Sequence, residues 1–415
     1  MKRPKVFVAM SGGVDSSVAA ALLKQSSEFD VVGCHMKCWS EGEYCTSERD
    51  AEDARRVAEK LNIPFYVFDL EREYRDRVFD YMVKEYAAGR TPNPDVMCNK
   101  EIKFGIFLEK VLALGADFVA TGHYVIAKRY SLSQTGGSAA PAAAARLRSR
   151  QPDSAFGGDQ APAGSESFSK ANTALLQKNR LKVAMREAKD ISKDQSYFLW
   201  TLTQEQLKHC LFPIGDYLKS EVRELAKKFD LPTAAKKDSQ GLCFVGEIKF
   251  DDFLREVMPK RDGAVVTTSG KEVGRHDGVE FYTIGQRRGI KIGGGIPYYV
   301  AEKKFATNTL VVAEGPYDDG LFQSELNVSG INWISGKAPQ LPFECEARIR
   351  YRQPLQKATI VSSIKYPVLS MTDGYLIPNT KYLIQFSEPQ RAITPGQSVV
   401  FYKDGEMLGG GVISS

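Results

Sequence analysis

Two stretches of this chain hold residue types whose spacing could do chemistry. The first is Ser11-Gly12-Gly13-Val14-Asp15-Ser16-Ser17, which follows a short apolar run and opens a helix-forming segment. A turn of this kind aims backbone N–H groups and a helix N-terminus at one point, which suits an anion, and paired glycines let the backbone come close to it. The run lacks the spacing and the lysine of a Walker A loop. A bare Ser-Gly-Gly would serve as a strand-to-helix turn; the added Asp15, Ser16 and Ser17 favour phosphate binding. The second feature is a pair of thiols. Arg90-Thr91-Pro92-Asn93-Pro94-Asp95-Val96-Met97-Cys98-Asn99-Lys100 is a proline-stiffened loop running into a helix. Cys98 is therefore expected near a helix N-terminus with Lys100 and Lys103 close by, and both features favour the nucleophilic thiolate. Lys236-Lys237-Asp238-Ser239-Gln240-Gly241-Leu242-Cys243-Phe244 puts the other thiol in a polar, lysine-flanked loop. The plain alternatives are a buried helix cysteine and an incidental loop thiol. Cys34-His35, with Cys38 and Cys45 nearby, suggests metal ligation, but the spacing matches no common zinc pattern, and no permanent metal is expected.

These residues need a frame, and the first part of the chain supplies an alternating one. Val6–Met10, Val31–Met36, Phe65–Leu70 and Asp117–Thr121 read as short strands. Between them Val18, Leu22 and Leu23, then Ala54, Val57, Ala58 and Leu61, then Phe104, Phe107, Leu108, Val111 and Leu112 recur at helical spacing. This is the pattern of a parallel sheet with helices on both faces, an α/β fold. Residues 131–172 interrupt it with a Ser-, Ala-, Gly- and Pro-rich stretch whose few large apolar side chains cannot repay the entropy of ordering, so a solvated insertion is expected. From Phe212 to Arg275 the signals are mostly helical, and beyond Gly274 short runs separated by turn residues predict a β-barrel closed by a hairpin at Lys403-Asp404-Gly405-Glu406. The expected division is 1–208, a nucleotide-binding catalytic unit; 209–276, a small mostly helical unit; and 277–415, a C-terminal β-barrel.

Bulk properties narrow the class. At 415 residues with 43% hydrophobic content, several cores can form. No apolar run approaches the roughly 20 residues that span a bilayer, and a cytoplasmic protein is expected. The formal charge of +5 permits a polyanionic partner without requiring one. Seven cysteines without regular spacing read as thiols of a reducing compartment rather than a disulfide framework.

The glycine-serine run resembles the pyrophosphate loop of the ATP pyrophosphatase superfamily, whose members activate a carbonyl oxygen as an adenylate. Together with the two cysteine runs, Thr121-Gly122-His123-Tyr124, Lys193-Asp194-Gln195-Ser196-Tyr197-Phe198-Leu199 and Tyr282-Thr283-Ile284-Gly285-Gln286-Arg287 resemble the tRNA-specific 2-thiouridylases. The likeness covers nearly the whole chain except the insertion. It implies an ATP-dependent sulfurtransferase acting on the wobble uridine of tRNA, with magnesium accompanying ATP. Ala9, Met10, Ser11, Gly12, Gly13, Val14, Asp15 and Ser16 would surround the phosphates, with Met36 and Gly122 facing the adenosine. Asn93, Pro94 and Asp95 would contact the target base, Asp95 managing a proton. Cys98 would be the nucleophile and Cys243 the persulfide carrier, on a central-unit loop that folds back on the active site. His123, Lys193, Asp194, Gln195, Arg350, Tyr351 and Gln397 would touch tRNA, with Arg348, Arg350 and Arg352 aligned on one strand face to follow phosphates. The partners implied are tRNA, of the Lys, Glu and Gln isoacceptors, and a sulfur donor such as a cysteine desulfurase or sulfur-relay protein; no membrane is involved. An iron–sulfur cluster on Cys98, Cys243 and a third ligand is a rival use of the thiols. An amidating synthetase with a small acceptor and a catalytically silent tRNA-binding protein are the rival functions; the first has no use for paired cysteines and the second none for an intact loop.

Overall fold

A computed structural model describes residues 2–40, 47–131, 181–237, 254–255, 258–290, 292–293, 295–362, 369–372, 375–378 and 382–414. Cys45, Cys243 and residues 132–172 of the insertion lie outside them.

The alternating segment folds as expected. Strands β1 (Lys5–Ala9), β2 (Asp30–Lys37), β3 (Phe65–Asp69) and β4 (Phe118–Thr121) are parallel, in the order β3-β2-β1-β4, and a two-residue strand, Cys210–Leu211, extends the edge beside β4. Strand periodicity sends Val6 and Val8 into one buried layer and Phe7 and Ala9 into the other. Both faces are thus apolar, as a strand covered on both sides requires. Helices α1 (Val14–Ser26), α2 (Ser47–Lys60), α3 (Glu71–Tyr74), α4 (Asp80–Ala87), α5 (Pro94–Met97) and α6 (Leu108–Ala113) alternate with the strands, and wide-turn π-helical stretches fill Arg75–Phe79 and Cys98–Phe107. Ala9 aligns with Cys34 on one side and Thr121 on the other, so the carboxyl ends of β1 and β4 are level while β2 runs on to Lys37. Ligands of open parallel sheets bind at that edge.

Past β4 the chain leaves this sheet. Strands β5 (Ile126–Ser131) and β6 (Leu181–Arg186) form an antiparallel hairpin whose two ends flank the insertion. After a short helix, α7 (Gln204–Leu207), and the edge strand β7 (Cys210–Leu211), helix α8 (Lys219–Lys228) returns to pack on α1 through Val222, Leu225 and Ala226.

The expectation of a mostly helical unit over 209–276 needs correction. Strands β8 (Gly263–Thr267) and β9 (Glu272–His276) join β10 (Tyr298–Lys304) and β11 (Thr309–Glu314) in a four-stranded sheet ordered β10-β11-β8-β9. Gly-Ala-Val-Val-Thr alternates in burial along β8, but five residues between polar turns carry too little pattern to outweigh the helical spacing of Val222 to Phe229.

The C-terminal barrel is closed. Strands β12 (Phe322–Trp333), β13 (Phe343–Arg348), β14 (Gln356–Ser362), β17 (Tyr382–Arg391), β18 (Ser398–Lys403) and β19 (Glu406–Ile413) run antiparallel in the order β12-β17-β14-β13-β18-β19, and β12 pairs back with β19. A separate hairpin of β15 (Leu369–Thr372) and β16 (Tyr375–Pro378) lies between β14 and β17 in the chain. Closure removes the exposed edges that short strands would otherwise leave. Asp404 and Gly405 take positive φ of 52° and 73° in the turn from β18 to β19, as the Asp-Gly pair predicts. β6 adds to the barrel through Arg186 and Met185 against Glu406 and Met407, so the hairpin from the first unit is welded to the last. Among the described residues no helix is long and apolar enough to cross a membrane.

Candidate active site

The loop after β1 has the backbone that its glycines predict. Gly12 takes φ +73°, and a β-carbon there would lie 2.2 Å from the Asp50 carbonyl oxygen, so any side chain is excluded. Gly13 caps α1 without a side-chain partner for the first N–H groups. The hydroxyls are turned inward: Ser16 Oγ accepts from the Ser11 N–H at 3.1 Å and donates to the Gly13 carbonyl, and Ser17 Oγ donates to the same carbonyl at 2.7 Å. These bonds hold the loop's shape while leaving backbone donors of the helix start for an anion. Gly122, at the end of β4, backs directly onto this first turn, where a β-carbon would sit 2.6 Å from the Ser16 nitrogen. Met36 is buried in the layer that holds Ala9.

Charged partners that the sequence reading missed surround the loop. Lys219, at the start of α8, donates to both Asp15 carboxylate oxygens at 2.7 and 2.8 Å, and Tyr124 Oη donates to Asp15 Oδ1 at 2.8 Å. On the other side, Lys236 Nζ lies 2.7 Å from Asp50 and 2.6 Å from Asp53, and donates to the Gly12 carbonyl at 3.1 Å. Burial pulls the Lys236 ammonium down, but its bonds to the two aspartates more than offset this and hold its pKa above the ordinary lysine value. His35 Nδ1 is 2.9 Å from the Met10 carbonyl, and burial lowers its pKa. These partners lie at separations of up to 224 residues, beyond any local motif.

The cysteine loop is braced rather than loose. Asn93 Oδ1 accepts the Val96 N–H at 3.2 Å and caps α5, with Pro94 in the first helical turn. Asp95 follows, half-buried, in that turn. Cys98 begins the next helical stretch, as expected, but it is fully buried in the layer of Ala9, Cys34 and Met36, and the Lys100 ammonium pairs with Glu101 at 3.0 Å. Gln397, expected at tRNA, instead donates from Nε2 to the carbonyls of Thr91 and Pro92 at 2.9 and 3.0 Å, and the Thr91 N–H donates to the Pro395 carbonyl. Cys34 is buried beside Cys98 with its thiol pKa pushed far up, whereas His35 on the same strand faces the other layer, so strand alternation separates these neighbours as joint ligands. Among the described residues no group of three or more His, Cys, Asp or Glu side chains could hold a metal ion.

The remaining residues expected at tRNA have surroundings within the protein as well. His123 is buried between Phe104 and Phe212, its Nδ1 2.8 Å from Thr121 Oγ1, and burial lowers its pKa well below the usual value. Asp194 is buried and accepts from Ser196 Oγ and the Ala188 N–H; burial pushes its carboxyl up despite these bonds. Gln195 Oε1 accepts the Tyr124 N–H at 3.0 Å. Lys193 is half-exposed. The aligned row of arginines is a correction: β13 ends at Arg348, which is buried against Glu187 and Asp194 and stacks over Tyr402. Arg350 lies in the following turn and bonds the carbonyls of Ile284 and Ala392 and the Thr394 hydroxyl. Tyr351 packs on Phe198 with ring centroids 4.5 Å apart, and Arg352 stacks over Tyr351. The alternation of Glu344 to Ala347 was real, but it stops where the strand stops.

Comparison with known proteins matches three family models in order along the chain. A tRNA methyl transferase HUP domain covers residues 4–145 and 163–247, a tRNA methyl transferase PRC-barrel domain 251–314, and an aminomethyltransferase beta-barrel domain 323–413. The chain is 43% identical over 413 residues to a protein of Geobacillus thermodenitrificans named tRNA-specific 2-thiouridylase MnmA, covering 99% of this chain and 94% of that one. Proteins of the same name from Shouchella clausii and Francisella philomiragia are each 41% identical, covering 99% and 100% of this chain and 96% and 100% of theirs. The domain descriptions speak of methyl transfer; the relatives that align over nearly the whole chain are named for thiolation.

Proposed function

The chain belongs to the tRNA-specific 2-thiouridylase family, and from that premise we propose that it replaces the C2 oxygen of the wobble uridine of tRNA with sulfur at the expense of ATP. The observation that carries the reading is topological. The phosphate loop follows β1, and the helical run that starts at Pro94 and contains Cys98 leads, through a kink at Gly105, into β4 beside β1; this connection supports the Asn93–Cys98 segment meeting the loop at the carboxyl edge of the sheet.

The C2 oxygen of uracil is a poor leaving group. ATP, bound as its magnesium complex, converts it to an adenylate: the oxygen attacks the α-phosphorus and pyrophosphate departs, with backbone donors of the loop opposing charge on the phosphates. Sulfur then arrives on Cys243 as a persulfide, delivered by a donor such as a cysteine desulfurase. Its terminal sulfur attacks C2 and AMP leaves. The Cys98 thiolate attacks the Cys243 sulfur, the S–S bond to the transferred atom breaks, and thiouridine and a Cys98–Cys243 disulfide result; a reductant reopens it. Release of free sulfide by an earlier Cys98 attack gives the same products. Asn93, Pro94 and Asp95, in the cap and first turn of α5 that leads into Cys98, would hold the flipped base, and a single-stranded loop makes flipping inexpensive. A tRNA substrate makes the cytoplasm the site of action.

Nucleoside mass analysis of tRNA from cells with and without the protein tests this reading. Loss of 2-thiouridine is expected on removal, together with AMP and pyrophosphate formation in vitro only when tRNA is supplied. Unchanged 2-thiouridine, or AMP formed with ammonia and a small acceptor, would overturn it.

A further inference from the structure

A loop that binds a triphosphate without a lysine of its own must find cations elsewhere. Residues Ala9 to Ser17 contain none, and their one charged side chain, Asp15, would repel phosphate. Asp50 and Asp53, at the start of α2, add two more carboxylates beside Gly12. Three acids around an anion site make sense if each has a cation, and they do: Lys219 on Asp15, Lys236 on Asp50 and Asp53. Neither side chain is sealed off from solvent: Lys219 remains 12% and Lys236 25% exposed. They come from opposite flanks of the loop, one at the first turn of α1 and the other at the Gly12 carbonyl.

We propose that Lys219 and Lys236 are the cations that grip the β- and γ-phosphates of ATP, and that Asp15, Asp50 and Asp53 hold them in place until the nucleotide arrives. The proposal rests on the ATP-dependent reading above and adds the residues that neutralise the nucleotide. In the free protein each ammonium is oriented by carboxylates; on binding, phosphate oxygens take over part of those bonds, so the side chains need little reordering. No residue of the loop itself could do this, because its hydroxyls are committed to Ser11 and Gly13.

The test is calorimetric titration of the full chain, without tRNA, with ATP, pyrophosphate and AMP. Lys219→Gln and Lys236→Gln are each expected to weaken ATP and pyrophosphate binding by about tenfold to a hundredfold, the worth of one hydrogen bond to a charged group, while AMP binding stays within about twofold. Lys236→Arg should recover part of the loss. Asp53→Asn leaves Asp50 to orient the lysine and removes a competitor for it, so ATP should bind as well or more tightly. Equal losses for AMP and ATP would reduce the lysines to supports of the fold, and unchanged ATP affinity would put the phosphates elsewhere; either overturns the proposal. Weaker ATP binding in Asp53→Asn would make that carboxylate a metal ligand and overturn its holding role. Parent protein that binds ATP in this lysine-dependent way but leaves tRNA unthiolated would sustain the proposal and sink the thiolation reading instead.

Discussion

Cys98 is fully buried, which bears on how the proposed mechanism divides labour between two thiols. If the sulfur donor is a protein, its persulfide would not reach a side chain with no exposed surface, which supports sulfur acceptance by another thiol. Cys210 and Cys345 are buried with their thiols pushed up to about 12, and Cys34 higher still, which leaves them inert near neutral pH. Cys38 is buried as well, and Cys45 and Cys243 lie outside the described residues; the proposed mechanism assigns acceptance to Cys243 and the internal attack to Cys98. Accordingly Cys98→Ser should still gain one reducible sulfur when incubated with a desulfurase and cysteine, whereas Cys243→Ser should gain none, and neither should thiolate tRNA; intact-protein mass reads the difference. A sulfur found on Cys98 in the Cys243→Ser chain would reverse the roles. Sequence could point to both thiols and to the phosphate loop because each is a contiguous run with its own chemistry. It could not show that Lys219 and Tyr124 meet Asp15, which happens only because α8 folds back on α1 and β4 ends beside Asp15, nor that Lys236, quoted above only as a flank of Cys243, meets Asp50, Asp53 and Gly12.

At the scale of elements, alternation was readable in the parallel strands, but not in β8 and β9, which sit between glycines, nor in the 12-residue β12 or the β5–β6 hairpin. The loop from Gly89 to Asn93 illustrates what no pattern reveals. A β-carbon on Gly89 would collide with Phe305 of the middle sheet at 2.2 Å, and one on Gly396 would come within 2.8 Å of Thr91 in the same loop. Gln397 completes the clamp with two bonds to carbonyls one and two residues before the Asn93 cap. Its work in this geometry is to set the position of α5 and hence of Asp95 and Cys98. Gln397→Ala should therefore lower kcat for thiolation at saturating tRNA while KM for tRNA changes little, since a misplacement of the order of 1 Å at a reacting group costs up to about a hundredfold. A raised KM with unchanged kcat would return Gln397 to the role of a tRNA contact.

For the whole molecule the question is what binds three bodies into one. The first unit was legible because buried parallel strands carry apolar residues on both faces, and the barrel because its strands are many and short; their mutual docking was not, since it uses polar side chains that look solvent-facing in sequence. Arg350 is the clearest case. It was expected on an exposed strand face tracking phosphates, yet its guanidinium ties the Ile284 carbonyl of the segment before β10 to the Ala392 carbonyl and Thr394 hydroxyl of the barrel. Burial lowers its pKa, as desolvation of a cation does, though it stays charged at any working pH. Removing it takes a donor from three acceptors in a partly buried joint, of which only the Ala392 carbonyl keeps another, the Thr394 hydroxyl, so Arg350→Ala should cost roughly 1–3 kcal/mol in denaturant unfolding. The salt dependence of tRNA affinity separates this from phosphate binding: each lost phosphate contact flattens the slope of log affinity against log salt by about one unit for a folded duplex and somewhat less for a single strand. The expected result is a destabilised protein whose slope equals the parent's. A flattened slope with unchanged stability would instead mean that the side chain leaves its three partners to meet the nucleic acid.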